Sequence, residues 1–373
     1  MSDLKSKEAC GVPAVALVKG RYPLPKIRGP ILLIQLGDIG DVVLSVPALL
    51  ALKRHFAGCD VWMGVRKKAE GLLEDIPGLA GVIGMDAAPS SPAPALRYHA
   101  GCVHALRRKR FSMAVDLRTG TRGTFTAYLS GAPVRVGRLD HGKQEIRKRL
   151  LTHLVRPDPR LEAEQYAALH HLNILAAVGL PCDQGTPVIP VPAGKTRRVH
   201  GFFGSQGIPA DRPVVAVSPF SLWAYKEWRL EGWTRVIRDL VQCYGVSIVV
   251  TGSRQESTRA RALVRRIPEG AYNLAGKTPM EMLPALFAAC RLFIGVDSGS
   301  LHVAAAVGTP TVALFGPSSA VTWAPRGKRH LTVSKDWPCL PCRRKGCDNT
   351  ETSRCLEALT AEAVLAAVDQ QLG

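Results

Sequence analysis

A chain of 373 residues and 40.2 kDa, 46% hydrophobic and 21% charged, has room for two domains, each with its own core, and is too apolar for wholesale disorder. Its 35 glycines and 27 prolines stand mostly singly and without a repeat period, which excludes collagen-like, low-complexity and solenoid architectures. The net charge of +19 is concentrated: residues 97–160 carry 15 Lys and Arg against 4 Asp and Glu, so this region supplies the whole excess of the first half. It includes Arg107, Arg108, Lys109, Arg110 and the run Arg147, Lys148, Arg149. Such a region suits a polyanion (nucleic acid, an anionic membrane face, a phosphorylated substrate) or is a solvated helix surface.

No stretch has the roughly 20 apolar residues of a spanning helix, since the most apolar one, 303–315, is broken by Gly308 and Pro310. Residues 1–11 are charged and hold no apolar signal segment. A cytosolic setting is the resulting expectation, and in it ten cysteines are thiols or metal ligands before they are disulfides.

Residues 1–29 read as an N-terminal arm punctuated by prolines. Residues 31–36, ILLIQL, have the continuous apolar character of a buried parallel strand. The turn Gly37-Asp38-Ile39-Gly40-Asp41 follows, then a helix over 42–56 with Asp41 as its N-cap and Pro47 stiffening or kinking it. Further strands are expected at 61–65, 82–85 and 113–117, and a long helix over 161–178. This βαβ order predicts an α/β domain over 30–180 with a mostly parallel sheet. A linker rich in proline and glycine covers 181–194. A second βα series, 195–373, has strands at 214–217, 247–250, 292–295 and 311–315 and ends in a helix over 360–372. Two such doubly wound domains bind ligands at the carboxyl ends of their strands, and their loops are expected to face a common cleft.

Residues 295–302, GVDSGSLH, carry the strongest chemical signal: a buried strand, an acid, then small residues opening a helix. Unsatisfied N–H groups and the helix dipole make such a start an anion site, unless Asp297 or Ser298 merely caps the helix. Ser218 and Ser221 follow a strand end, and Lys226 just beyond could offset a diphosphate's charge. The loop 274–278, reaching Thr278, could line a base or ribose. His302 is either a donor-site group or a packed histidine. No Asp-x-Asp pair, a metal–diphosphate clamp, is present, and the first turn lacks the G-x-G-x-x-G of dehydrogenases.

Residues 31–52, ILLIQLGDIGDVVLSVPALLAL, and 273–318, NLAGKTPMEMLPALFAACRLFIGVDSGSLHVAAAVGTPTVALFGPS, resemble the ADP-heptose:lipopolysaccharide heptosyltransferases, glycosyltransferase family nine. The resemblance runs from about residue 30 to the C-terminus. It implies a GT-B architecture, two Rossmann-like domains with the active site between them, inversion at the transferred sugar, and an ADP-heptose donor held by the C-terminal domain. It places Asp41 as the base that takes the acceptor hydroxyl's proton, Lys226 on the donor diphosphate, and Asp297 near the transferred sugar. Ser298, Gly299 and Ser300 match the phosphate-holding helix start, with His302 beside them. Glu256 matches a ribose contact, and Ser218, Ser221 and Thr278 complete the donor side. Arg118 and Arg122 fall on the acceptor side. An anionic glycolipid acceptor follows, and with it a peripheral place on the cytoplasmic face of the inner membrane. Rival readings are a relative moving another sugar to another surface glycan, and a nucleic-acid-binding protein. Against the latter, aromatic residues are only 6% and no ribonucleoprotein motif appears.

Catalysis is expected to need no cofactor. Cys339, Cys342, Cys347 and Cys355, spaced C-x2-C-x4-C-x7-C in a basic loop, could form a structural zinc site, or remain free thiols or an oxidised pair.

Overall fold

The computed structural model describes residues 16–86, 89–139, 144–182, 185–348 and 350–372. The chain divides into two units, Met1–Pro187 and Val188–Gly373, at a point inside the Pro-rich segment.

In the first unit the apolar runs become strands β1 (Ala16–Lys19), β2 (Ile31–Gln35), β3 (Val61–Arg66), β4 (Leu79–Met85), β5 (Met113–Asp116), β6 (Val134–Arg138) and β7 (His153–Arg156). Their order is β1-β7-β6-β5-β2-β3-β4, with every pair parallel except β1 against β7. β2 is buried along its whole length, which is why its sequence shows no alternation. The expected arm is thus only partly an arm. Its residues 16–19 add an antiparallel edge strand, too short and too exposed to leave a sequence pattern, and residues 1–15 lie outside the described residues.

The second unit has β8 (Val214–Ser218), β9 (Ser247–Val250), β10 (Ala271–Asn273), β11 (Leu292–Val296), β12 (Thr311–Leu314) and β13 (His330–Val333). They run parallel in the order β10-β9-β8-β11-β12-β13. The helix Leu230–Tyr244 lays Trp233, Val236, Ile237 and Leu240 on Val215, Val217, Ile248 and Val250 of the sheet. Each such side chain, once buried, contributes about 1.5–3 kcal/mol before entropy is counted. In both units the strand order reverses beside the first strand of the series, at β2/β5 and at β8/β11, and such switch points are where open α/β sheets hold ligands.

Three expected local features differ. The helix after β2 starts at Ile39 with Asp38 as N-cap, and Asp41 is its third residue, closing a reciprocal capping box. It stops at Leu44, and a second helix, Val46–His55, restarts with Pro47 in its first turn, where no N–H is needed. The single helix over 161–178 is two, Pro159–Glu164 and Ala167–Ala177, because Gln165 turns to extended backbone between them. Arg147 is no part of a basic surface: its side chain is 1% exposed, whereas Arg107, Arg108, Lys109, Arg110, Lys148 and Arg149 are exposed.

Candidate active site

At the switch point of the first unit, the loop after β2 carries Asp38 and Asp41, and the loop after β5 carries Arg118. Arg118 Nη1 donates to Asp41 Oδ2 at 2.7 Å, and the Asp38 N–H donates to the same oxygen at 3.0 Å. Among the described residues Asp41 Oδ1 takes no hydrogen bond, so one oxygen is left for a substrate proton. Gly37 lies directly under this pair. A Cβ there would meet Asp41 Oδ2 at 2.2 Å and Arg118 Nη1 at 2.3 Å, so any other residue would push this pair apart. Arg66, closing β3, and Lys68 reach Asp38 Oδ1 at 3.2 and 2.7 Å. Burial alone would raise the Asp38 carboxyl, but Lys68, Arg66 and Arg118 outweigh it and hold it below the usual carboxylate range. Arg122 donates to the carbonyls of Met85 and Asp86, at the end of β4.

Two buried networks hold this loop pair. Gln35, fully buried, accepts from the Gly37 N–H at 3.1 Å and donates to His171 Nε2 at 3.1 Å. The other His171 nitrogen meets the Leu44 carbonyl at 3.2 Å, so a neutral ring protonated on Nδ1 braces both ends of the Asp41 segment. Burial pushes the His171 imidazole down to about 4. On the other side, Asp116 and Arg147 form an ion pair at 3.0 Å with 0% and 1% exposure. Arg147 also bonds the carbonyls of Arg118, Gly120 and Arg138 and the Thr124 hydroxyl, which fixes the loop that carries Arg118. Burial pushes the Asp116 carboxyl up to about 6, with Arg147, the Arg118 N–H and Thr124 pulling against it.

In the second unit, Ser218 ends β8 in register with Gly295 of β11, and Asp297 directly follows β11. Lys226, in a short turn after β8, donates to Asp297 Oδ2 at 2.7 Å, with the carboxylate 7% exposed. Ser221 reaches the Asp297 carbonyl at 3.5 Å, and its N–H is held by Glu227 at 3.0 Å. Ser298 is the N-cap of the helix Gly299–Ala306, yet its side chain caps nothing, and its hydroxyl is buried without a partner. Asp297 is committed to Lys226. The protein itself therefore does not use this helix start as an ordinary cap, and the first-turn N–H groups from Gly299 to Leu301, Ser300 included, are left for an anion. His302 is buried one turn in. Glu256 precedes the helix Ser257–Val264 and accepts from the Ser253 N–H at 2.6 Å, while the Thr278 hydroxyl, past β10, is buried without a partner.

The expected donor residues thus gather at the carboxyl ends of β8 to β11, and Asp41 and Arg118 meet at those of β2 and β5. Sequence reasoning missed Arg66 and Lys68, which the strand-end rule alone could have found. It also missed Gln35, His171 and Asp116, whose polarity in apolar runs was the only signal. In the four-cysteine loop Cys339 is exposed, Cys342 and Cys347 are half-buried and Cys355 is buried, all as free thiols. Burial, with Cys347 and Cys342 nearby, pushes the Cys355 thiol up. Among the described residues, no three or more His, Cys, Asp or Glu side chains are placed to hold a metal ion. None of the helices among the described residues is long and apolar enough to cross a membrane.

The model of glycosyltransferase family 9 (heptosyltransferase) matches residues 100–352. Lipopolysaccharide heptosyltransferase 3 of Escherichia coli is 24% identical over 340 residues, 89% of this chain and 96% of that protein. Among solved structures, a family 9 glycosyl transferase from Veillonella parvula superposes with a TM-score of 0.78 at 19% identity, covering 94% of this chain and 98% of its own. The E. coli ADP-heptose lps heptosyltransferase II does so with 0.76 at 22% identity, covering 92% and 98%. At these identities the likeness shows the fold, which is α/β of the GT-B kind.

Proposed function

The chain belongs to glycosyltransferase family 9 and is a glycosyltransferase, and from that premise we propose that it moves a heptose from ADP-heptose to the inner core of lipopolysaccharide. Relatives named as lipopolysaccharide heptosyltransferases, matched over 96% and 83% of their own lengths, support the substrate pair. The observation that carries the reading is the unspent helix start at Ser298 beside the Lys226–Asp297 pair, a place built for a diphosphate.

In this reading Asp41 Oδ1 receives the acceptor hydroxyl's proton as the hydroxyl oxygen attacks the anomeric carbon from the face opposite the nucleotide. The new glycosidic C–O bond forms, the bond to the diphosphate oxygen breaks, and ADP leaves with the electron pair. Inversion follows from that single displacement. Arg118 keeps Asp41 aimed by holding Oδ2. The charge that grows on the departing diphosphate is met by Lys226 and by the N–H groups of Gly299–Leu301, interactions stronger in the transition state than before it. Arg66, Lys68 and Arg118 together give the acceptor side a cationic character suited to an anionic glycolipid. The exposed Arg107–Arg110 run would hold the enzyme at an anionic membrane face, each charge near the surface contributing about 1 kcal/mol.

The test is a panel of nucleotide sugars incubated with the protein, with nucleoside diphosphate release followed over time. ADP-heptose should be turned over, fastest with a heptose-deficient core acceptor. Turnover of a different nucleotide sugar in its place would overturn the donor assignment.

A further inference from the structure

Around Lys226, which forms part of its wall, the second unit holds a cavity of about 210 Å³ whose other cations have no part in the reaction described above. Its walls include Tyr225, Lys226, Ser318, Ser319, Arg343 and Arg344: three cations, two hydroxyls, a phenol and no carboxylate. Three chain segments meet there and are tied together. The Ser353 hydroxyl donates to the Tyr225 carbonyl at 2.6 Å, fastening the Cys-rich loop to the turn that carries Lys226. The Arg343 N–H donates to the Pro317 carbonyl at 2.8 Å, fastening the same loop to the turn after β12. Arg343 sits at φ 56°, a left-handed conformation that a residue with a long side chain rarely adopts. Such strain persists where the surroundings enforce it, and it concentrates at binding sites.

The charge is unspent. Lys226 is paired with Asp297, but neither Arg343 nor Arg344 has an ion pair or side-chain hydrogen bond among the described residues. Arg343 and Arg344 are both exposed, so water screens their mutual repulsion, and an anion entering the cavity would meet two unpaired guanidiniums beside Lys226. Guanidinium geometry matches phosphate oxygens in pairs. Next to the cavity, Trp223 is 44% exposed and stacks on Tyr225 with ring centroids 6.0 Å apart, and Lys345 stands over the Trp223 ring.

The geometry points to a phosphoryl subsite: Arg343 and Arg344 grip a phosphoryl group borne on a sugar substrate, either the diphosphate of the donor or a phosphate on the acceptor saccharide. This rests on the donor reading of Lys226 above. It gives the Cys-rich loop a task, since the loop's folded form is what presents the two arginines.

The test uses the full chain and three probes titrated by calorimetry: inorganic pyrophosphate, ADP and glucose 6-phosphate. The variants are Arg343→Asn with Arg344→Gln, asparagine being chosen because it tolerates the left-handed backbone, and Arg344→Gln alone as the variant free of that constraint. Pyrophosphate affinity should fall about tenfold in the double variant, the scale of one lost charge-assisted hydrogen bond, and its salt dependence should flatten. A parallel fall for ADP assigns the subsite to the donor. An unchanged ADP affinity with loss of glucose 6-phosphate binding assigns it to an acceptor phosphate. Unchanged affinity for all three probes in both variants overturns the subsite while leaving the donor reading intact. Wild-type protein that binds pyrophosphate in an arginine-dependent way but not ADP overturns the donor reading and leaves the subsite standing.

Discussion

Replacing Arg147 with methionine keeps the stem and removes the guanidinium, leaving Asp116 buried at 0% exposure without its counter-charge. Asp116 already titrates at about 6 in place of its ordinary 3.8, so ionising it inside the native fold costs about 3 kcal/mol at neutral pH. Without Arg147 its pKa rises further, and once it passes the ambient pH the group protonates instead. At about pH 7.5 the carboxyl's cost is therefore capped near 5 kcal/mol, about 2 more than in the wild type. The carbonyls of Arg118, Gly120 and Arg138 and the Thr124 hydroxyl lose a donor as well. The sum falls in the 3–5 kcal/mol range, about what breaking a buried pair costs. Urea unfolding followed through Trp62, the single tryptophan of the first unit, measures it. The penalty should shrink as the pH falls to about 5, where Asp116 is mostly protonated in either protein. Turnover should drop with it, because the loop carrying Arg118 loses two of its anchors, while ADP affinity should hold. A penalty below about 1 kcal/mol at pH 7.5, or one independent of pH, would refute this account of the pair.

Asp41→Asn should lower transfer by about 10²–10⁴-fold with donor binding and fold intact, as for loss of a general base; near-normal turnover in purified protein would remove Asp41 from that role. Lys226→Ala should weaken ADP binding and slow transfer together, and calorimetry showing unchanged affinity would make Lys226 an ordinary lysine held by Asp297. Two buried groups set opposing pH dependences. His171, depressed to about 4 from 6.5, withdraws about 3 kcal/mol of stability as the pH falls through that window, because the unfolded chain takes up the proton first. Asp116, raised from 3.8 to about 6, returns a similar amount as the pH falls from about 6 to 4, because there the native state holds the proton. Relative to wild type, His171→Gln should gain stability toward pH 4 and Asp116→Asn should lose it, and parallel stability–pH curves for all three proteins would contradict both assignments. Gln at Arg107, Arg108 and Arg110 together should reduce binding to anionic liposomes at low salt without moving ADP affinity, and unchanged liposome binding would make that surface solvation only.

What the sequence displayed was burial and punctuation. ILLIQL at β2 and LFIGV at β11 are apolar throughout because both faces of these strands are covered, and the acids that follow them could be placed from that pattern alone. The edge strand Ala16–Lys19 was invisible, since an exposed four-residue pairing depends on what lies beside it. Arg147 shows the limit most clearly. In the run Arg147-Lys148-Arg149 three cations look alike, and only the rotation of the helix Gln144–Leu150 against Asp116 sends one inward and two out. At Asp38 and Asp41 the sequence put the cap on the wrong acid: the capping geometry makes Asp38 the cap and leaves Asp41, which the family resemblance had singled out as the base, a carboxylate oxygen to spare. Arg343 and Arg344 drew no notice among the neighbouring cysteines, since nothing in their spacing announced a cavity wall.

The shared strand order of the two units has an electrical consequence. In the first, the acid Asp41 trails the leading strand of the series and its cationic partner Arg118 comes from the strand across the switch point. In the second, the cation Lys226 trails the leading strand and the acid Asp297 comes from across. One scaffold is thus wired twice at the same junction with its poles exchanged: one copy leaves a carboxylate oxygen without a partner, the other buries its carboxylate against an ammonium beside a helix start. On the proposed reading, proton acceptance and anion capture need no difference in fold, only a reversal of sign between two loops.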